Sequence, residues 1–445
     1  MDIADPILLA RLQFAFTIAF HILFPAFSIG IASYLLVLEL WWLRTADRRY
    51  RRLFDFWLKL FALSFTMGVV SGIVMSYQLG MNWSRFSAAT GNVLGPLMAY
   101  EVFSAFFLEA SFLGILLFGR RRVSRGLYLT AVIAVAAGTV MSAFWILAAN
   151  SWMHTPAGFV LEDGVFIVRD WLHVIFNPSM PYRFVHMMLA AYLATGVVVA
   201  AVGAFHSLRR SADRDARLML RMALPFVAMV ATAQLVSGHA HGVNVHRHQP
   251  AKLAAIEGHW NSYERDAPLV LFGLPDAVSE TNHWQLRVPI IGSVVVTGSR
   301  EGAIEGLRSW PADERPPVAF VFWAFRIMAG IGLILFAVGW LGAYRSWRGD
   351  AAFGRRFLHL LMALAPAGFV ALLAGWVTAE VGRQPYVVYG LLRTSDAASP
   401  ISGDMVGLSA LIFAAGYPLV FGAGTFYMLR VITAGTRPQG RHTHD

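Results

Sequence analysis

Nine long apolar runs, separated by short polar connections, organise the chain. They cover approximately residues 12–43, 53–80, 94–118, 126–149, 183–208, 218–238, 318–344, 356–380 and 405–430. A helix needs about 20 apolar residues to cross a bilayer, so each run predicts one membrane-spanning helix. No soluble domain, low-complexity segment or internal repeat stands out. The expected architecture is an all-α polytopic bundle forming a single integral membrane domain over residues 1–445. One connection, 239–317, is far longer than the others. It mixes charge, Pro, Gly and Trp, and PAKLAAIEGHW (250–260) within it reads as helical. Structureless loops of such length are uncommon unless they carry a function.

Composition agrees with the pattern. Of 445 residues, 57% are hydrophobic and only 14% charged, against roughly 25% charged in soluble domains. Most of the apolar surface must therefore face lipid. The net charge of +10 comes from Arg clusters. RTADRRYRR (44–52), RRRVSR (120–125), RRSADRDARLMLR (209–221) and RSWRGDAAFGRR (345–356) occupy alternate connections, and Arg430, Arg437 and Arg441 fall on the same side. This is the positive-inside pattern rather than a phosphate-tracking stripe, and it argues against a nucleic-acid partner. The Arg-rich side is then cytoplasmic, the N-terminus outside, the C-terminus cytoplasmic and segment 239–317 outside. The start, MDIADPILLARLQ, is acidic where a signal peptide would be basic, so no cleaved signal is expected. The chain has no Cys, which excludes disulfides, thiolate catalysis, cysteine-ligated iron–sulfur clusters and covalent c-type haem.

Ionisable residues inside spans are costly, and each is a functional candidate. His21 lies in the first span. Glu101 and Glu109 share a broad face of the third, about 80° apart on an ideal helix. His186 opens the fifth span, Arg326 and Met328 lie in the outer half of the seventh, and Glu380 closes the eighth with Arg383 just beyond. Singly, a span His is often an interhelical hydrogen bonder and a Met is packing. Yet His21, His186, Met328 and Glu380 come from four spans and share one depth. His and Met are a common axial pair for haem iron, and nearby Arg would neutralise propionates. Glu101 and Glu109 suit proton conduction, which Ser142 on the fourth span could extend; a span Ser is otherwise a helix contact. The His-dense GHAHGVNVHRHQ (238–249) has no carboxylate or Cys to complete a metal set, and reads as a solvated interfacial loop. Lys252 and Glu257 follow. They would pass as ordinary loop charges, except that only one other Lys exists, Lys59 inside a span. A rival reading is a proton-coupled transporter using Glu101, Glu109 and Glu380, but the inverted repeats and broken helices of that class are not evident.

These residues lie in strings that resemble subunit I of cytochrome bd-type quinol oxidases. The strings are RLQFAFTIAFHILFP (11–25), AYEVFSAFFLEASF (99–112), ANSWMHTPAG (149–158), YRFVHMM (182–188), FWAFRIMAG (322–330) and GWVTAEVGRQPYVVYG (375–390). The resemblance runs nearly end to end and in order. It implies three haems near the outer face. His186 and Met328 would ligate a low-spin haem b. His21 and Glu380 would each serve one of two high-spin haems, a haem b and either haem d or a third haem b in its place. Glu101 would lie close to that pair as a possible further ligand. Trp376 would sit among the haems, and Arg326 and Arg383 would hold propionates or tune potential. Lys252 and Glu257 match the quinol-oxidising part of the outer loop, and Glu109 and Ser142 the proton path from the cytoplasm. The resemblance also implies a second large membrane subunit, a small single-span subunit, and residence in the bacterial inner membrane. Quinol would be oxidised at the outer face and dioxygen reduced to water with cytoplasmic protons, without a pump. A haem b quinone oxidoreductase that does not reduce oxygen is the nearest alternative. Three departures stand out. The outer loop is short, as in the short-loop or cyanide-insensitive branch. Tyr386 stands where the family often has Trp, and His154 where Gln is expected.

Overall fold

The computed structural model describes residues 5–349 and 353–436; Arg437 and Arg441 lie outside them. Among the described residues, nine helices are long and apolar enough to span a membrane: Pro6–Thr45, Arg48–Met81, Ser84–Phe118, Arg125–His154, Met180–Arg209, Arg214–His248, Ala312–Arg348, Arg355–Val381 and Gly403–Ala434. They are numbered here as spans one to nine. Local chemistry starts several of them. Asp5, Asp47, Ser124 and Asp213 occupy N-cap positions, and each side chain accepts a hydrogen bond from a free first-turn N–H. The last three of these caps sit in the abrupt turns at the Arg-rich end.

That end is tied together across sequence. Arg52 donates to both oxygens of Asp215 at 2.8 and 2.6 Å, and Thr436 donates to the same carboxylate. Arg120 grips the buried Glu39 through two hydrogen bonds of 3.0 and 2.7 Å. At the other end, Ser399 N–H donates to Asn82 O and Tyr389 N–H to Met153 O. The four Arg clusters between spans therefore share one end of the bundle, as their alternation predicts. Small residues let spans approach closely: a Cβ on Gly368 of span eight would lie 2.5 Å from Ala194 Cα of span five.

Two features depart from the sequence expectation. Span three contains a π-helical turn, Val102–Phe106, immediately after Glu101. A π-turn inserts one residue into the helical register. The eight-residue step from Glu101 to Glu109 then behaves like seven, and the expected 80° separation closes to about 20°. Span six also continues to His248 instead of ending near 238. The His-dense stretch is therefore helix, not a solvated loop, and the long connection starts at Gln249. Glycine, histidine and asparagine lowered the hydropathy of this segment without breaking its hydrogen bonding.

The remaining connection folds onto the bundle. Its helix Pro250–Glu257 is buried from Ala251 to Glu257. It is followed by an antiparallel hairpin, Leu269–Asp276 paired with Thr281–Val288. Two smaller hairpins lie at Phe159–Val168 and Tyr386–Arg393. All described strands belong to connections, so the spanning part is all-α as expected.

Candidate functional site

Four groups of sequence candidates can be followed in space. On the third and fourth spans, Glu101 Oε1 accepts a 2.6 Å hydrogen bond from Ser142 Oγ. Glu109 packs on Gly138, where an added Cβ would stand 2.5 Å from Glu109 Cγ. Gly138 and Ser142 are one turn apart, so both carboxylates face a single stripe of span four. Glu109 is buried and its Oε1 has no partner. This is the alignment that the π-turn produces, and it spaces the two carboxyls along the helix axis.

His21 Nδ1 lies 3.0 Å from Ser71 Oγ. The Ser71 hydroxyl also lies 2.9 and 3.0 Å from the carbonyls of Gly68 and Met67. Its single proton serves those carbonyls, so it accepts from His21 Nδ1–H. The Nε2 lone pair of His21 then remains available for a metal bond. His186 is edged by the Gln234 amide, whose Nε2 lies 3.1 Å from His186 Nε2. Its ring also meets that of His241 at 5.5 Å between centroids. Glycines shape both imidazole pockets. A Cβ at Gly72 would approach His21 Cε1 to 3.2 Å, and one at Gly238 would approach His186 Cε1 equally closely. Met328 Sδ sits against Gly375 in the same manner, at 2.8 Å from a notional Cβ. Half-buried Trp376 is the next residue on span eight.

The densest cluster surrounds Glu380. Its Oε1 accepts from Asn150 Nδ2 at 3.1 Å and His154 Nε2 at 3.0 Å, with Arg183 Nη2 at 3.5 Å. Its Oε2 accepts from Arg383 Nη2 at 2.6 Å. Arg183 also donates a short hydrogen bond to Asn150 Oδ1. His154 Nδ1 lies 2.9 Å from Lys252 Nζ, which donates to Gln249 Oε1 at 2.6 Å. Lys252 is 2% exposed and Arg383 6%. Burial, with Arg183 next, pushes the Lys252 amine well below the ordinary lysine range, against the pull of Glu380.

Lys252 and Glu257 do not act on one spot. Five residues place them about 140° apart on their helix. Lys252 faces the Glu380 cluster, whereas Glu257 is buried with an unpartnered Oε2. Burial raises the Glu257 carboxyl above its usual range, opposed by the charge of Arg326. Arg326 itself spends four donors on backbone carbonyls: Leu271 through Nε, Ile256 and Phe322 through Nη1, and Val270 through a short bond from Nη2. Its guanidinium thus pins the outer helix and hairpin onto span seven.

The reading from sequence gave no role to Arg183, Asn150 or His241, and noted His154 only as a departure. Arg183 and Asn150 lay inside strings already singled out. His241 lies on the helical extension of span six, where low hydropathy predicts loop.

A haem fits these residues on three grounds. His and Met are haem-iron ligand types, and Glu380 adds an oxygen donor. Glu380 Oε2 carries one hydrogen bond and so keeps a lone pair. Arg183 Nε, together with Arg383 Nε and Nη1, is buried without a partner, although buried donors are nearly always satisfied. Two cations, Arg183 and Arg383, bind one carboxylate and keep donors to spare, and further anionic oxygens such as propionates would complete them.

Comparison with known proteins identifies the family. The family model described as cytochrome bd terminal oxidase subunit I matches residues 9–436. A cytochrome bd ubiquinol oxidase subunit 1 of Bacillus subtilis is 32% identical, over 98% of this chain and 95% of its own length. A cytochrome bd-II ubiquinol oxidase subunit 1 of Escherichia coli is 29% identical, over 97% of each chain. A structure of bd oxidase from Geobacillus thermodenitrificans superposes with a TM-score of 0.91 at 29% identity, covering 98% of this chain and all of that one. With its nine spans and its buried ligand-type cluster, the chain belongs to the cytochrome bd terminal oxidase subunit I family.

Proposed function

We propose that this chain is the haem-bearing subunit of a quinol:oxygen oxidoreductase of the bacterial inner membrane. It works in a complex with a subunit II and completes respiration by oxidising quinol and reducing dioxygen to water. The observation that carries the reading is the Glu380 cluster, a largely buried carboxylate held by Arg183 and Arg383, whose unused N–H groups call for anionic oxygens.

In this reading His186 and Met328 hold a low-spin haem b, while His21 and Glu380 each serve a high-spin haem, one haem b and one haem d or a third haem b. Bound haem supplies the one-electron steps and the site where dioxygen is held. Arg183 joins Arg383 in holding propionate oxygens, with Trp376 alongside. Glu101 would be a further candidate ligand for a high-spin haem. The Arg-rich end faces the cytoplasm, which puts the N-terminus and the quinol segment outside. Glu257, buried and readily protonated, accepts a quinol proton, while Lys252 holds a quinol oxygen through its amine. Arg326 keeps the outer helix seated while quinol exchanges. Glu109 and Glu101, aligned by the π-turn, with Ser142 hydrogen-bonded to Glu101, pass protons from the cytoplasmic side. Quinol releases protons outside and water formation consumes them from within, so charge separates without a pump. A small single-span subunit completes the complex.

The test is a reduced-minus-oxidised spectrum of the purified complex together with quinol-dependent oxygen uptake. We expect haem bands and oxygen uptake, with the low-spin bands abolished in His186→Ala and converted in Met328→Leu. A haem-free protein, or low-spin bands unchanged in both variants, would overturn the assignment.

A further inference from the structure

His154 is fully buried at the end of span four, and its two ring nitrogens face different partners. Nε2 meets Glu380 Oε1 at 3.0 Å and Nδ1 meets Lys252 Nζ at 2.9 Å. A neutral imidazole has one N–H and one lone pair. A carboxylate only accepts. The arrangement therefore selects one tautomer, in which Nε2–H donates to Glu380 and Nδ1 accepts from Lys252. Lys252 belongs to the outer helix Pro250–Glu257, and its second bond, to Gln249, holds the amine where that helix meets span six. The ring is thus a one-residue bridge between the outer segment and the end of span eight.

We propose that His154 is a positioning residue that couples the quinol-side Lys252 to Glu380. It holds Nζ in place for the quinol oxygen, and it orients Glu380 Oε1 so that Oε2 presents its free lone pair. A quinol that draws on Lys252 alters the bond at Nδ1, and the change reaches Glu380 through the same ring. This rests on the reading of Lys252 and Glu380 given above. The chemistry needed at position 154 is a donor toward Glu380 and an acceptor toward Lys252, about one ring width apart. A Gln amide meets both demands, Nε2–H toward Glu380 and Oε1 toward Lys252. Leu meets neither, and Asn is one methylene too short to reach both.

The experiment uses the purified complex with His154→Gln, His154→Leu and His154→Asn. Each is measured by haem redox titration and by steady-state kinetics with a short-tail quinol. In His154→Leu we expect KM for quinol to rise about tenfold, the effect of losing one hydrogen bond to a charged group. A high-spin haem midpoint should fall, because a carboxylate that has lost a donor pushes more charge onto iron. His154→Gln should restore both values close to the parent. His154→Asn should resemble His154→Leu, and it decides the matter if the Leu variant does not assemble. The proposal is overturned if Leu and Asn leave KM and midpoints unchanged, or if Gln is as impaired as Leu. A Glu380→Ala variant with every haem band intact would instead refute the ligand role of Glu380. In that event the KM arm alone judges the bridge to Lys252.

Discussion

The most searching prediction concerns the charge balance at Glu380. Replacing Glu380 by Gln keeps the size and several hydrogen bonds, but removes the one carboxylate among the described residues that is paired with Arg183 and Arg383. Arg383 lies 2.6 Å and Arg183 3.5 Å from its oxygens, and the two Arg side chains are 8% and 9% exposed. At about 4 Å between charge centres and an effective dielectric near 20, each pair has a Coulomb energy of about 4 kcal/mol. Desolvation offsets much of the gross attraction, and breaking a buried pair typically costs about 3–5 kcal/mol net. Glu380→Gln should therefore lower unfolding stability by roughly that amount, measured by denaturant titration of tryptophan fluorescence in detergent. Loss of haem would also destabilise, so the discriminating variant is Glu380→Gln with Arg383→Gln. Removing one surplus cation should recover about half of the loss or more, a recovery that haem loss alone would not produce. The electrostatic account is refuted if the double variant is no more stable than Glu380→Gln. It is refuted equally if Glu380→Gln changes stability by less than about 1 kcal/mol, the range of exposed pairs.

Two further predictions probe proton traffic. Glu109→Gln should slow oxygen uptake by about a hundredfold or more, the scale of a lost proton-transfer group, while haem spectra and quinol KM stay at parent values; unchanged uptake would remove Glu109 from the path. Because burial raises Glu257 and its carboxylate form must accept the quinol proton, quinol oxidation should fall as pH drops through a limb above the usual Glu range. Glu257→Gln should have low activity and no such limb, and an identical limb in that variant would assign it to another group.

Intramembrane His, Met and Glu are candidates readable from sequence because they are rare enough to stand out against a hydrophobic background. The string around Glu380 and Arg383 also carries local chemistry that a reader of residues can follow. Arg183 and Asn150 were harder, since nothing in YRFVHMM or ANSWMHTPAG says where a side chain at a helix end will turn. Arg326 was read as a haem neighbour, yet most of its donors go to carbonyls of the outer segment, whose docking onto span seven no local signal announces. Span six ran ten residues past the expected end, from 238 to His248, because hydropathy records lipid exposure rather than helical hydrogen bonding.

By itself, the sequence determined nine spans, the common end of the Arg clusters and the residue types fit to hold haem. Those properties are written along the chain as run length, charge alternation and rare polar residues. Tertiary structure alone decided the rest. The π-turn after Glu101 cannot be read from an ideal periodicity, yet it sets both carboxylates on one stripe. The contact of Lys252 with His154, and of His154 with Glu380, joins residues 98 and 226 positions apart. Such hydrogen bonds depend on how separate spans pack, and packing is a property of the assembled bundle rather than of any one segment.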